Sequence, residues 1–396
     1  MSATHKLELG ELGFDQGAQV VLAHAFATLE PGDEVDIDGS SSGFAIQLVA
    51  WARAKGHEVV RSAHERVTLR VGTATGARWR GAERAFGESR DGVAARAPQH
   101  WGLAARGALI EQGGPEPGFM LDSRDELWTA DAPEHYRAAA AAQWDPGTAI
   151  DWSIRQEHPD AVEDALVQVL TYLIENETAA LLVSARFASR THPHYREVLQ
   201  FLVLQAADEA RHIEVFTRRA QCFRRELGVS TVGGRASLQT LIEEPEFSRA
   251  ALLLGVLGEG TFLQLLAFLR THAPERCTAQ IMLLAAQDEA RHVAFAMAHL
   301  AEHARQDKTL LQRLAVAVES RHAALQATAG LNEEVFEALI LLAAGSFDPE
   351  AISRGHAAVV ELLALMDAGR QSRLRRLGFD PDKASDLSAL HTRNFM

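Results

Sequence analysis

The chain has 396 residues, 47% of them apolar, and a formal net charge of −14 at pH 7. A chain of this length and composition can bury a sizeable core and is expected to form two or three domains. The acidic balance argues against a nucleic-acid backbone or an anionic membrane as the main partner.

The N-terminal residues MSATHKLELGELG lack the apolar run behind a basic segment that a signal peptide carries. Uninterrupted apolar stretches all fall short of the roughly 18 residues that a membrane span needs. The two cysteines, Cys222 and Cys277, lie in apolar helical patterns typical of reduced core thiols. We therefore expect a soluble, cytoplasmic protein.

The N-terminal region alternates between strand and helix patterns. HKLELGEL alternates apolar and polar residues, as a half-buried strand does, and EVDIDG, EVVRS and RVTLRVG resemble further strands. Helical spacing occurs in DQGAQVVLAHAFATL and in SSSGFAIQLVAWARAKGH, whose serines suit an N-cap. The order β-α-β-α-β-β predicts a small two-layer α/β domain over residues 1–75.

Residues 76–151 are rich in glycine, proline and isolated tryptophans, as in GGPEPG and QWDPGTAIDW. They predict an irregular connector with one helix, APEHYRAAAAAQW, and the tryptophans indicate that it packs on the following domain. From about Pro159 nearly every segment has helical period, with breaks at Gly- and Pro-containing segments. The predicted helices lie near 160–189, 194–226, 246–271, 274–305, 308–328, 332–344 and 349–370.

The first four helices are long enough for a four-helix bundle over residues 152–305, and the other three, in residues 306–396, are expected to pack against it. The predicted fold class is therefore α+β and multidomain. A βαβαββ domain comes first, and an all-α bundle with extra C-terminal helices follows it.

The letters DEARH occur twice, at residues 208–212 and 288–292. Residues three apart share a helix face, so the Glu and His of each copy can bind one metal ion together. These pairs are Glu209 with His212 and Glu289 with His292. Both lie on apolar stripes, where an uncompensated carboxylate is unfavourable by several kcal/mol. Two facing pairs with metal between them provide the compensation.

A di-metal carboxylate site also needs one Glu from each of two other helices. Glu259 is the only charged residue in LLLGVLGEGTFLQLLAF and lies on an apolar stripe. The first helix offers Glu175 or Glu177, which point in different directions, and the apolar stripe favours Glu177. Glu177 and Glu259 each precede a pentad Glu by about 30 residues, which is one helix, a turn and a return.

The metal centre is thus predicted from two similar helical hairpins, with Glu177, Glu209, His212, Glu259, Glu289 and His292 as ligands. The alternative, pentads that form surface ion pairs, leaves the lone Glu259 unexplained. Asp208 and Asp288 can orient the His of the opposite pentad, each held by the Arg one turn away, Arg211 or Arg291. Alternatively, these Asp–Arg pairs face solvent.

Residues 160–305 resemble the ferritin-like di-iron carboxylate superfamily, and ENETAALLVSARFA followed by DEARH looks most like its oxygenase and oxidase branches. The resemblance implies two iron ions and O2 as a substrate, while mixed O and N donors also admit an Fe/Mn pair. The p-aminobenzoate N-oxygenases of this superfamily have an extra His ligand where this chain has Ala285. Ferritin subunits are much shorter than this chain.

The first 75 residues resemble the TusA-like sulfur-carrier fold. The Cys-Pro-x-Pro motif of that family is replaced here by Asp15, Gln16, Gly17 and Ala18. Because no persulfide can form on Asp15, we expect a domain for protein contact, substrate binding or stability instead of sulfur transfer.

These patterns predict a non-haem di-iron enzyme, a monooxygenase or oxidase, that activates O2 and acts on a small organic molecule with an electron donor that the sequence does not identify. A substrate-sized cavity is then expected beside the ions, lined by residues such as Phe262, Phe295 and Leu266. His299 and His303 either line the site or pack in the ordinary way. The alternatives are a ferroxidase with an acidic path for iron, and a non-enzymatic scaffold. A homodimer through the C-terminal helices is compatible with each.

Overall fold

The computed structural model describes residues 4–73, 79, 81–325 and 333–391. The chain divides into two compact units, one of residues 1–85 with 106–116 and one of residues 86–105 with 117–396. The segment that was predicted as a connector, 76–151, therefore contributes to both units.

The first unit contains a four-stranded sheet with the order β1-β2-β4-β3, in which β1 and β2 are parallel and the other neighbours antiparallel. The predicted succession of strands and helices is confirmed. Its elements are β1 (Thr4–Gly10), α1 (Ala18–Phe26), β2 (Glu34–Gly39), α2 (Phe44–Ala54), β3 (Glu58–Ser62) and β4 (Arg66–Arg70). A two-stranded ladder adds β5 (Glu83–Arg84) and β6 (Leu109–Ile110).

The two layers of this unit meet in an apolar core. On β2 the alternation buries Val35 and Ile37, which pack in one cluster with Leu22 of α1 and Leu48 of α2. The predicted serine N-cap of α2 is wrong, because the cap residue is Gly43 at φ +75°. Glycine adopts this left-handed conformation without the steric strain that a side chain introduces.

The second unit is helical. Its first helices, in the Gly- and Pro-rich segment, are α3 (Arg124–Leu127), α4 (Ala132–Ala141) and α5 (Pro146–Ala149). The helix predicted from APEHYRAAAAAQW is α4. The longer elements that follow are α6 (Asp160–Arg190), α7 (Arg196–Ala220), α8 (Val232–Glu243), α9 (Phe247–Thr271), α10 (Arg276–Gln306), α11 (Leu310–Leu325), α12 (Glu333–Ala344), α13 (Pro349–Leu377) and α14 (Pro381–His391).

Two hairpins, α6–α7 and α9–α10, form a four-helix bundle, and α12 and α13 pack against it. All seven predicted helices are present, although the second ends at Ala220 and not at 226. Residues 326–328 of the fifth and residue 332 of the sixth lie outside the described residues. Helices α8 and α14 were not predicted. In α8 the glycines were interpreted as a break, whereas Thr231 caps the helix by accepting from Gly234 N at 3.0 Å.

Helices α6 and α9 are long and apolar enough to cross a membrane by length and composition. The most apolar windows of these helices are 67% and 83% buried within the structure, as expected for core helices of a bundle. Cys277 is buried as predicted, but Cys222 is exposed just after the end of α7, where the apolar pattern stops.

Candidate metal centre

Six ionisable side chains from four helices meet inside the bundle. Glu177 comes from α6, Glu259 from α9, and one Glu-x-x-His pair from each of α7 and α10. Each of the six is at most 3% exposed. Glu175, the other candidate on α6, is only half-buried and lies outside the cluster.

The cluster consists of two overlapping groups, in each of which the ligand atoms lie within 4.8 Å of one another. Glu209 and Glu289 belong to both groups. The first group adds Glu177 and His212, and the second adds Glu259 and His292. This arrangement provides two adjacent cation positions that share a pair of carboxylates.

The two shared carboxylates each direct one oxygen to each histidine. Glu209 Oε2 is 3.3 Å from His212 Nδ1, and Glu209 Oε1 is 3.2 Å from His292 Nδ1. Glu289 Oε1 is 3.4 Å from His212 Nδ1, and Glu289 Oε2 is 3.5 Å from His292 Nδ1. A carboxylate oriented in this way can bridge two ions.

The remaining two carboxylates each belong to only one of the two groups. Glu177 Oε2 lies 3.7 Å from His212 Nδ1. Glu259 Oε1 accepts a hydrogen bond of 2.9 Å from Gln205 Nε2, which leaves its other oxygen for the centre. The two halves therefore differ by this glutamine.

The atoms that face the centre have no hydrogen-bond partner among the described residues. They are Glu177 Oε1, Glu259 Oε2, both carboxylate oxygens of Glu209 and of Glu289, and Nδ1 of His212 and of His292. Buried polar atoms without partners are unfavourable, and their convergence here is typical of a cation-binding site. Two divalent cations would balance the four carboxylates, and the O and N donors suit first-row transition metals.

The electrostatics of the cluster point the same way. Burial, reinforced by the charge of Glu209, raises the pKa of Glu177 well above its usual value, and burial with the charge of Glu289 does so for the pKa of Glu259. Burial lowers the pKa of His212, but the hydrogen bond to Asp288 and the nearby carboxylates outweigh it and raise that pKa. Protons therefore compensate the carboxylates wherever metal ions do not.

Each histidine is oriented by the aspartate of the opposite pentad. His212 Nε2 donates to Asp288 Oδ2 at 3.0 Å, and His292 Nε2 donates to Asp208 Oδ2 at 3.1 Å. Both aspartates are buried, and Arg211 and Arg291 pair with the aspartate of their own pentad. These hydrogen bonds leave Nδ1 of both rings facing the centre. Of the two alternatives, the structure shows the one in which each aspartate contacts the histidine of the opposite pentad, and the Asp–Arg pairs do not face solvent.

Three residues of this site were not found from the sequence. Gln143 Nε2 donates to Asp208 Oδ1 at 2.9 Å, and Trp144 Nε1 donates to Asp288 Oδ2 at 2.8 Å. Both residues end the segment APEHYRAAAAAQW that predicts a helix, but they follow the end of α4, and helical period does not tell which neighbouring element they contact. Gln205 was within reach of sequence reasoning, because it precedes Glu209 by one helical turn on the same face.

The space beside the ligands is smaller than expected. An apolar pocket of about 30 Å³ contacts Glu259, His292 and Phe295, room for about one water molecule. Phe262 and Leu266 do not line it, and Phe262 packs instead near the Tyr172 ring at 6.1 Å. A larger cavity of about 530 Å³ lies further along the bundle.

The two histidines beyond the pentad take different positions. His299 is fully buried, and its Nε2 lies 3.0 Å from Ser248 Oγ. His303 Nε2 donates to the Trp128 carbonyl at 2.8 Å and lines the larger cavity. Neither belongs to the metal cluster.

Fold and site together define an α+β chain with a ferritin-like four-helix bundle, in which each half contributes a Glu and a Glu-x-x-His. Comparison with models of protein families gives no match, and comparison with curated proteins gives none either.

Similar solved structures include three variants of an R2-like ligand-binding oxidase with a reconstituted Mn/Fe cofactor. Two have TM-scores of 0.46 and identities of 17% and 18%, and the match covers 61% of this chain and 94% of theirs. The third has a TM-score of 0.44 and 17% identity, with 67% and 92% covered. Similarity at this level does not support a functional assignment. Any assignment depends on the side chains described above.

Proposed function

We propose that this protein is a di-metal oxidoreductase that activates O2 and oxidises a small organic molecule. The observation that carries the proposal is the pair of carboxylates, Glu209 and Glu289, each with one oxygen directed to each histidine. Such an arrangement suits two ions that act together. A single structural ion would need only one of the two groups.

In this proposal Glu177 and His212 would hold one ion, Glu259 and His292 would hold the other, and Glu209 and Glu289 would contribute to both sites. Two iron ions, or an iron–manganese pair, fit the donor set. When bound, such a pair supplies the electrons that O2 activation requires.

The protein's own groups position and protect this centre. Asp288 and Asp208 fix the tautomers of the histidines by accepting from Nε2. Gln205 restrains one oxygen of Glu259 while the other stays available. The apolar pocket against Glu259 and His292 excludes bulk water and has room for a molecule about as small as O2. A cytoplasmic location and a separate electron donor remain part of the proposal.

The test is anaerobic loading with Fe²⁺ followed by exposure to O2, monitored by stopped-flow absorbance, with metal content from elemental analysis. Wild type is compared with Glu259→Ala, which removes one ligand, and with Glu175→Ala, a matched change on a carboxylate outside the cluster. We expect two metal ions per chain and a transient visible absorption in wild type and Glu175→Ala, and loss of that absorption in Glu259→Ala.

Less than one metal ion per chain, or no reaction with O2, would contradict the proposal and favour a scaffold. Repeated turnover of excess Fe²⁺ without an organic substrate would favour a ferroxidase.

A further inference from the structure

Two residues line both the larger cavity and the small pocket beside the metal-ligand cluster. The larger one, here the outer cavity, has a volume of about 530 Å³, which lies in the range of small-molecule sites. The small one, here the inner pocket, contacts Glu259 and His292. Phe187 and Phe247 line both. The two rings therefore separate the outer cavity from the metal ligands.

The phenylalanine pair is a packed contact. The ring centroids are 5.2 Å apart and the planes meet at 72°, an edge-to-face geometry. Phe187 is 1% exposed and Phe247 is 5% exposed. Arg186 ties the residues before Phe247 to α6 by donating to the carbonyls of Ile242 and Glu244. The barrier is thus built from the same two helices that carry Glu177 and Glu259.

The outer cavity is apolar at this barrier and charged elsewhere. Arg313 on its wall is already engaged by Glu246 at 3.1 Å and by Asp307 at 2.8 Å. The other ionic groups of the wall are Arg190, Asp125 and Glu126. Counted together, the wall has more carboxylates than cations, so it favours a cationic ligand over an anionic one.

We propose that the outer cavity binds the organic substrate, that this substrate is an amphipathic amine, and that Phe187 and Phe247 determine how far its apolar end reaches toward the metal centre. The amine faces Asp125 and Glu126, and the apolar end rests against the two rings. That the ligand is a substrate rests on the proposed function, but the binding site itself can be tested without turnover. Hydrated Fe²⁺ is a poor alternative occupant, because the way inward is closed by apolar rings.

The first test is isothermal titration calorimetry on the metal-loaded, oxygen-free protein with two matched probes, 4-phenylbutylamine and 4-phenylbutyrate. We expect the amine to bind about tenfold more tightly than the carboxylate. The double variant Asp125→Asn/Glu126→Gln should lose most of that preference. Glu361→Gln, an exposed carboxylate on α13, is the control and should retain it.

Equal binding of both probes, tighter binding of the carboxylate, or an unchanged preference in the double variant would overturn the proposal. Amine binding without any reaction of the loaded protein with O2 would leave the binding site standing and remove the proposed function. Reaction with O2 without amine binding would do the reverse.

The second test concerns the barrier. A longer probe, 4-(biphenyl-4-yl)butylamine, should bind Phe187→Ala and Phe247→Ala about tenfold more tightly than wild type, because truncation joins the two spaces. Phe187→Leu is a milder variant in case the alanine variants fold poorly. Phe262→Ala and Phe262→Leu remove the same groups from a buried ring that lines neither space, and should not change the affinity. Equal affinities in all variants would contradict the role of the pair.

Discussion

His212 on α7 is held by Asp288 on α10, its Nε2 lying 3.0 Å from the carboxylate, so each hairpin of the bundle orients a histidine that belongs to the other. All partners of Asp288 are donors. Trp144 Nε1 and Arg211 Nη2 reach the same oxygen as His212, and Arg291 reaches the other. The carboxylate is therefore the one side chain of this shape that satisfies every contact.

Asp288→Asn should weaken metal binding. The amide keeps one acceptor oxygen and turns an NH2 group toward a donor, so His212 loses its orientation. We expect metal affinity to fall roughly 10- to 100-fold, as is usual when the partner of a ligating histidine is removed. Competition with a chromophoric chelator measures it. Asp367→Asn, far from the cluster in sequence and on an accessory helix, is the control. An affinity within twofold of wild type would contradict the role of Asp288.

Trp144→Phe tests a single hydrogen bond. Phenylalanine retains an aromatic face for Arg211, whose guanidinium lies 4.9 Å from the indole, but cannot donate to Asp288. We expect a loss of about 1 kcal/mol in metal binding, or roughly fivefold in affinity.

A matched control exists in Trp152, whose Nε1 donates to the Pro146 carbonyl at 2.8 Å and whose ring carries Arg218 at 3.9 Å. Trp152→Phe makes the same chemical change without a contact to Asp208 or Asp288. Equal effects of the two variants on metal affinity would show that the Trp144 hydrogen bond does not act on the centre.

The long bundle helices and the cluster were within reach of the sequence because both depend on helical period. The pentads place Glu and His at helical spacing on apolar helices, and Glu259 is the only charged residue of an apolar segment. A buried charge needs a partner, so these residues were expected to meet. The same reasoning selected Glu177 over Glu175, and the structure buries the former. Local sequence patterns were therefore sufficient to predict the long bundle helices and the ligand residues that they carry.

The parts that escaped prediction depend on tertiary contacts or on a departure from the regular helix. Gln143 and Trp144 end the segment that predicts α4, but their contacts with Asp208 and Asp288 depend on how that segment packs against α7 and α10. In α9, residues 251–259 form a π-helix, so the i, i+3, i+4 stripe drawn through Glu259 does not hold there. The expected lining by Phe262 and Leu266 was wrong, because Leu254 and Gly255 of the π-helix line the pocket instead.

Gly255 lets the π-helix lie against α10. A Cβ at this position would be 2.6 Å from the Cβ of Ala296 and 3.7 Å from Glu259 Oε2. We expect Gly255→Ala to lower the free energy of unfolding by about 1–3 kcal/mol through overpacking. It should also lower metal affinity, because α9 moves with Glu259.

Ala296→Gly provides the compensating change. Alone it should cost about 1 kcal/mol as a glycine inside a helix. Combined with Gly255→Ala it should restore the space and give a smaller loss than the sum of the single variants, measured by urea unfolding. Strict additivity would show that the Gly255–Ala296 contact does not limit the approach of α9 and α10.

His299 predicts a specific loss of stability in acid. Burial, followed by the charge of the neighbouring His303, lowers the pKa of His299 well below its usual value near 6.5. The unfolded chain therefore binds a proton below about pH 6.5 that the folded chain does not, and stability falls as pH decreases. For one such group the slope is at most about 1.4 kcal/mol per pH unit.

His303, whose ring centroid is 4.2 Å from that of His299, is shifted in the same direction. Its surroundings also include Glu302, Asp125 and Arg313, so the prediction concerns the difference between variants and not the absolute slope. His299→Gln should be less stable than wild type at pH 7.5, because it loses buried ring packing against Phe247.

The same variant should lose less stability than wild type between pH 7.5 and 5.5, because it has no buried imidazole to protonate on unfolding. Urea unfolding of the metal-free protein at several pH values measures both quantities. His356→Gln, an exposed histidine on α13, should keep the wild-type slope. If His299→Gln also keeps the wild-type slope, then His299 takes up a proton in the folded protein, and the prediction is wrong.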